Sequence, residues 1–176
     1  MSKVSRLLVI DASVLRSAGQ AIGHSAHCSS ILGNILDICH RAILSPEIKS
    51  EWDKHHSRLA VKWRGSMIAR KKLLNIDLVT EANVSIRSKI SELTGISDKD
   101  RVALEKDAHI IDAALRASKI IVTGDVRLRA LVHKWLGLKE IEWLVVHQDD
   151  SMIQRKVACD RLIALSQANP SPRASK

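Results

Sequence analysis

Residues 6–11 read RLLVID, and residues 120–125 read IIVTGD. Each is a short apolar run that stops at or just before an aspartate. Four or five apolar residues without polar alternation are the pattern of a strand covered on both faces, as in parallel sheets flanked by helices. Outward from the first run, residues about 24–40 carry Ile31, Ile35, Leu36 and Ile38 at mostly helical spacing, and Ala42–Leu44 is a second apolar run closed by Ser45-Pro46. A serine N-cap with proline at the first helical position opens a helix; here it is expected to run past Arg64, with a break near Gly65. Ile76–Val79 reads as a brief strand or loop, Asn83–Leu93 as a helix ending near Gly95, and Lys106–Ser118 as another helix. Ile120–Thr123 is a strand, Val126–Trp135 a helix stopped by Gly137, Ile141–Val146 a strand, and residues 150–167 a last helix. Strands that alternate with helices predict an α/β fold, three layers in the order α/β/α around a mainly parallel sheet.

The 176 residues suit one domain with a real core. Residues 1–150 are expected to form it, 151–167 a C-terminal helix packed on it, and 168–176 a loose tail. Phe and Tyr are absent, so aliphatic residues and four Trp must fill the interior, and aromatic stacking platforms for bases are hard to build. Lys and Arg number 28 against 19 Asp and Glu, a net charge of +9 that would attract a polyanion. The sequence holds no apolar stretch long enough for a membrane span and no signal-peptide pattern at its start, so a cytoplasmic protein is expected. Cys28, Cys39 and Cys159 stand far apart without a CxxC pair, which argues against a disulfide framework or structural zinc.

In parallel α/β sheets ligands bind beyond the carboxyl ends of the strands. Asp11 follows LLVI and Asp125 follows IIVTG, so both carboxylates are expected at one sheet edge, although aspartate is also an ordinary turn and capping residue. Helical phase, about 100° per residue, puts Asp107 on the same stripe as Ile110, Ile111, Ala114 and Leu115, and turns Asp112 toward solvent. In the helix after Pro46, Ile48, Trp52, His55 and Leu59 share a stripe that Glu51 flanks, while Glu47 and Asp53 fall away from it. Four clustered carboxylates repel one another unless cations neutralise them, and an all-oxygen set suits Mg²⁺ or Mn²⁺. His24, His27 and Cys28 have unspecific spacing and are read as core or surface residues.

The segments IDASVL, LSPEIKSEW, DAHIIDAAL and IIVTGD, in that order over residues 6 to 130, resemble the successive signatures of PIN-domain nucleases. The resemblance implies a PIN-like fold and metal-dependent RNA hydrolysis, with Asp11, Glu51, Asp107 and Asp125 as the catalytic, metal-holding acids. It implies that Ser13 and Thr123 support them. It further suggests a toxin of a toxin–antitoxin pair or an RNA-processing enzyme, an antitoxin-like protein partner, and a homodimer. Arg64, Arg70, Lys71, Lys72, Arg127 and Arg129 are the candidate contacts to an RNA backbone. The competing reading is a PIN-like module that binds nucleic acid or protein without turnover. A haloacid-dehalogenase phosphotransferase would need a second Asp where Ser13 stands, and no GxGxxG or GxxxxGK[ST] loop is present.

Overall fold

The computed structural model describes residues 4–19, 23–76, 86–146 and 152–167. Five parallel strands form one sheet in the order β3-β2-β1-β4-β5: β1 (Leu7–Ile10), β2 (Arg41–Leu44), β3 (Leu73–Asn75), β4 (Ile120–Thr123) and β5 (Glu142–Val145). The helices are α1 (Ala12–Ser17), α2 (Gly23–Asp37), α3 (Pro46–Lys54), α4 (Arg58–Ala69), α5 (Ile86–Ser91), α6 (Asp98–Arg116), α7 (Val126–Leu131) and α8 (Met152–Gln167). α2 packs with α4 and α8 on one side of the sheet, and α6 packs with α5 and α7 against β1 and β4 on the other. The result is the three-layer α/β/α arrangement expected from the sequence.

The apolar runs are strands because both faces are covered: Leu8, Val9 and Ile10 in β1 and Ile121 and Val122 in β4 are wholly buried. Fully burying one such side chain contributes roughly 1.5–3 kcal/mol, so these segments have no stable place at the surface. Two tryptophans outside the sheet tie layers together. Trp52 Nε1 donates to the Ile10 carbonyl at 2.9 Å and Trp63 Nε1 to the Leu32 carbonyl at 2.7 Å. Their rings meet edge to face with centroids 5.8 Å apart. The first of these bonds seats α3 on the carboxyl end of β1. The C-terminal helix is anchored as well: Val4 N donates to the Ser166 carbonyl, and the buried His40 contacts the Leu162 carbonyl at 2.8 Å.

Several element boundaries differ from the sequence expectation. The helix after Pro46 stops at Lys54, and α4 starts afresh at Ser57, whose side chain accepts from Ala60 N; Gly65 sits inside α4 without breaking it. Leu59 therefore belongs to α4 rather than to the stripe of Ile48 and Trp52. α1 has no counterpart in the expectation. The third strand is Leu73–Asn75, before the Ile76–Val79 stretch, of which residues 77–79 lie outside the described residues. α6 opens at Asp98, capped by Ser97, so Asp107 stands in mid-helix rather than near its start. Asp112 is half-buried rather than free in solvent: its Oδ1 accepts from Ile86 N at 3.1 Å and holds the start of α5. α7 runs on into a π-helical turn, Val132–Leu136, which ends at Gly137 in the left-handed region (φ 63°). The tail 168–176 lies outside the described residues, and among those described no helix is long and apolar enough to cross a membrane.

Candidate active site

β1 and β4 lie side by side in register, with Ile10 opposite Val122, so their carboxyl ends stop level. Asp11 and Asp125 leave those ends, and each also caps the helix that follows. Asp11 accepts from Ser13 N at 3.3 Å, and Asp125 Oδ1 accepts from Arg127 N at 2.8 Å and Leu128 N at 3.1 Å. The capping role and the convergent placement are thus both true.

Two hydroxyls lock this edge. Ser13 Oγ and Thr123 Oγ1 each donate to Asp11 Oδ2 at 2.6 Å. In turn Ser13 Oγ accepts from Gly124 N at 3.0 Å and Thr123 Oγ1 accepts from Asp125 N at 2.9 Å. Short bonds to an ionised oxygen are the strong kind, and here they join the turn after β1 to the turn after β4. Gly124 leaves the room this needs, since a Cβ there would lie 3.3 Å from both Ser13 Oγ and His24 Cε1.

Glu51 comes from α3 and Asp107 from α6, two helices packed against each other over the same edge. Together with Asp11 and Asp125 they line one cleft of about 550 Å³. Asp107 is pushed up to about 6, first by its own burial and then by the negative charge of Asp11, with Glu51 and Asp125 adding to it. The repulsive part of that rise requires carboxylates within electrostatic reach of one another. Glu51 moves the other way. Burial would raise it, but His109, Lys106 and His55 together outweigh burial and hold it below the usual carboxylate range. Among the described residues no group of three or more His, Cys, Asp or Glu side chains is arranged to hold a metal ion as it stands. Asp125 and Glu51 instead turn one oxygen each toward protein partners, the α7 amides and His109.

The basic residues divide by sheet edge. Arg127 lines the acidic cleft, where it also reaches Asp100 Oδ1 at 3.1 Å, and Arg129 is exposed on α7 outside the cleft lining. Arg70 and Lys72 precede β3 and sit at the opposite, amino edge. Lys72 Nζ donates to the carbonyls of Ile35, Leu36 and Ile38 at the end of α2, and Arg70 Nη1 donates to Leu36 O at 2.9 Å. These two cap a helix C-terminus, at the edge of the sheet away from the acids. Arg64 is paired with Asp53 and, with Lys71, lines a separate groove beside β3.

The cleft also gathers Arg16, His24, His55 and Lys106, none of which the sequence marks as a contact. His55 stands four residues after Glu51 and Lys106 directly before Asp107, a local signal that could have found them; Arg16 and His24 are single residues with no such pattern. His24 lies over Gly124, 3.6 Å from Cys28 Sγ. Burial pushes that thiol up to about 12, as expected of a neutral core thiol. The comparisons with known proteins matched no family model, no curated protein and no solved structure.

Proposed function

We propose that this chain is a metal-dependent endoribonuclease that hydrolyses RNA phosphodiester bonds in the cleft at the carboxyl edge of its sheet. The observation that carries the reading is the convergence of Asp11, Glu51, Asp107 and Asp125 on one cleft, with Asp107 raised to about 6 by burial and by the other acids. A cleft that crowds four carboxylates, one of them disfavoured as an anion, suits a cation, and its all-oxygen donors fit Mg²⁺ or Mn²⁺. When bound, such an ion supplies positive charge at the scissile phosphate and a more acidic water.

The chain's own residues do the rest. Ser13 and Thr123 hold Asp11 in one orientation, which reduces the ordering cost of gripping an ion. Arg16, Lys106 and Arg127 ring the acids and would receive the phosphates flanking the cut, consistent with the net charge of +9. The resemblance to PIN-domain nucleases points to RNA as the polyanion, to a cytoplasmic setting, and to a toxin or RNA-processing role in which an antitoxin-like protein or a second copy could cover the cleft.

A second reading is a binding module of the same fold without turnover. It draws on the absence, among the described residues, of any three side chains already arranged around one ion. RNA cleavage with Mn²⁺ by wild type and Asp11→Asn separates the two. The nuclease reading expects a loss of roughly 100-fold or more in the variant, the scale of removing one key electrostatic group; equal rates remove Asp11 from the mechanism.

A further inference from the structure

Three of the four acids have an evident reason to stay where they are. Asp11 is pinned by two hydroxyls and an amide, Asp125 by two helix amides, and Asp107 by partial burial in mid-helix. Glu51 has none of these. It is a long side chain at a helix edge open to the cleft, with three rotatable bonds, and the negative charge of its neighbours would repel it outward.

What stands behind it is His109. The ring is 3% exposed and is absent from the cleft lining. His109 Nδ1 lies 3.1 Å from the Lys106 carbonyl; a carbonyl only accepts, so Nδ1 carries the hydrogen and the ring orientation is set by its own helix. That turns Nε2 toward α3, where it stands 3.2 Å from Glu51 Oε2; with Nδ1 already carrying a hydrogen, this is an ion-pair contact of the doubly protonated ring rather than an aligned hydrogen bond. The contact bridges α6 and α3, the two helices that bring Asp107 and Glu51 to the cleft.

We infer that His109 is the positioning residue for Glu51: a buried imidazole on α6 that grips one carboxylate oxygen from behind and presents the other to the cation in the cleft. This rests on the cleft being a divalent-cation site, as proposed above. It is the arrangement by which metal-ligating side chains are commonly oriented, with the partner's loss costing roughly 10- to 100-fold in metal affinity. A histidine that merely glued α3 to α6 would instead affect folding and leave affinity alone.

The test is Mn²⁺ calorimetry on wild type, His109→Leu, His109→Gln, Glu51→Gln and the Glu51→Gln/His109→Leu pair, with the unfolding midpoint of each metal-free protein measured alongside. His109→Leu is expected to raise the Mn²⁺ Kd by roughly 10-fold or more. His109→Gln, whose amide can reach the same oxygen, is expected to recover most of that and to remain folded if the leucine variant does not. In the Glu51→Gln background the leucine change should have no further effect. An unchanged Kd in folded His109→Leu and His109→Gln overturns the inference, as does an equal loss with and without Glu51. Should wild type take up no Mn²⁺, the cation reading of the cleft fails and the orienting role falls with it. The midpoints then report separately whether the His109–Glu51 contact exists: a leucine penalty that vanishes in the Glu51→Gln background shows the contact without the cation.

Discussion

The two halves of the acidic cleft are built on opposite physical terms. Asp11 and Asp125 stand at adjacent strand ends, and local hydrogen bonds from Ser13, Thr123 and the first amides of α7 satisfy them. Glu51 and Asp107 arrive on α3 and α6 from distant parts of the chain. Their ionisation is displaced in opposite directions, Glu51 down through His109, Lys106 and His55 and Asp107 up to about 6 through burial and repulsion. One half is preorganised at little cost; in the other, Asp107 stores unfavourable charge that a bound cation would relieve.

The largest effect should come from the preorganised half. Asp11→Asn keeps the size of the side chain but removes its charge, and RNA cleavage should fall by roughly 100- to 1,000-fold; a loss under threefold would mean that the strand-end pair is only a capping device. Next comes the strained half. Asp107→Asn should stabilise the metal-free protein near pH 7 by roughly 1–2 kcal/mol, because a tenfold change in proton affinity is worth about 1.4 kcal/mol and solvent at the cleft mouth screens part of the repulsion. The sign follows from the folded value, about 6, lying above the unfolded one, about 4. The stability this group contributes is complete below about pH 4 and is lost as pH rises through about 6. Wild type should therefore weaken over that window in denaturant titrations without metal, whereas Asp107→Asn should be flatter. A variant less stable than wild type at pH 7 would show that burial and repulsion together do not disfavour the Asp107 carboxylate.

Smaller still, Thr123→Val preserves shape but deletes the donor to Asp11 and the acceptor for Asp125 N. A loss of roughly 10-fold in Mn²⁺ affinity is expected, and calorimetry that finds none would leave Ser13 as sufficient support. Smallest is the rim. Lys106→Ala and Arg127→Ala should each raise the KM for RNA a fewfold and lower the salt dependence by about one ion, while kcat changes little. A fall in kcat with KM constant would move these residues from substrate holding to chemistry.

The same contrast explains how much of the molecule is legible in its sequence. Apolar runs such as LLVI and IIVT announce strands because burial on both faces forces unbroken hydrophobicity, and the aspartates after them declare the sheet edge. Phase along a helix is enough to choose Glu51 and Asp107, but it does not reveal the start of α6. The first turns of that helix, with Asp98, Lys99 and Val102 exposed, carry no apolar periodicity to read, and only the Ser97 cap and the first-turn acids Asp98 and Asp100 mark them. Position along the chain does not say which edge of the sheet a basic residue reaches. Arg70 and Lys72 look like a phosphate tract in sequence, yet they enter β3 at its amino end and cap α2. Conversely, Arg16 and His24 reach the cleft one at a time from separate stretches, and only the packing of those stretches brings them together.

The most direct test is a crystal grown with Mn²⁺ and inspected by anomalous scattering. The account predicts a peak in the cleft with carboxylate oxygens from the four acids about 2.0 to 2.2 Å away, the spacing of a small hard cation. Well-ordered acids with no anomalous peak between them, in protein that still cuts RNA, would contradict it.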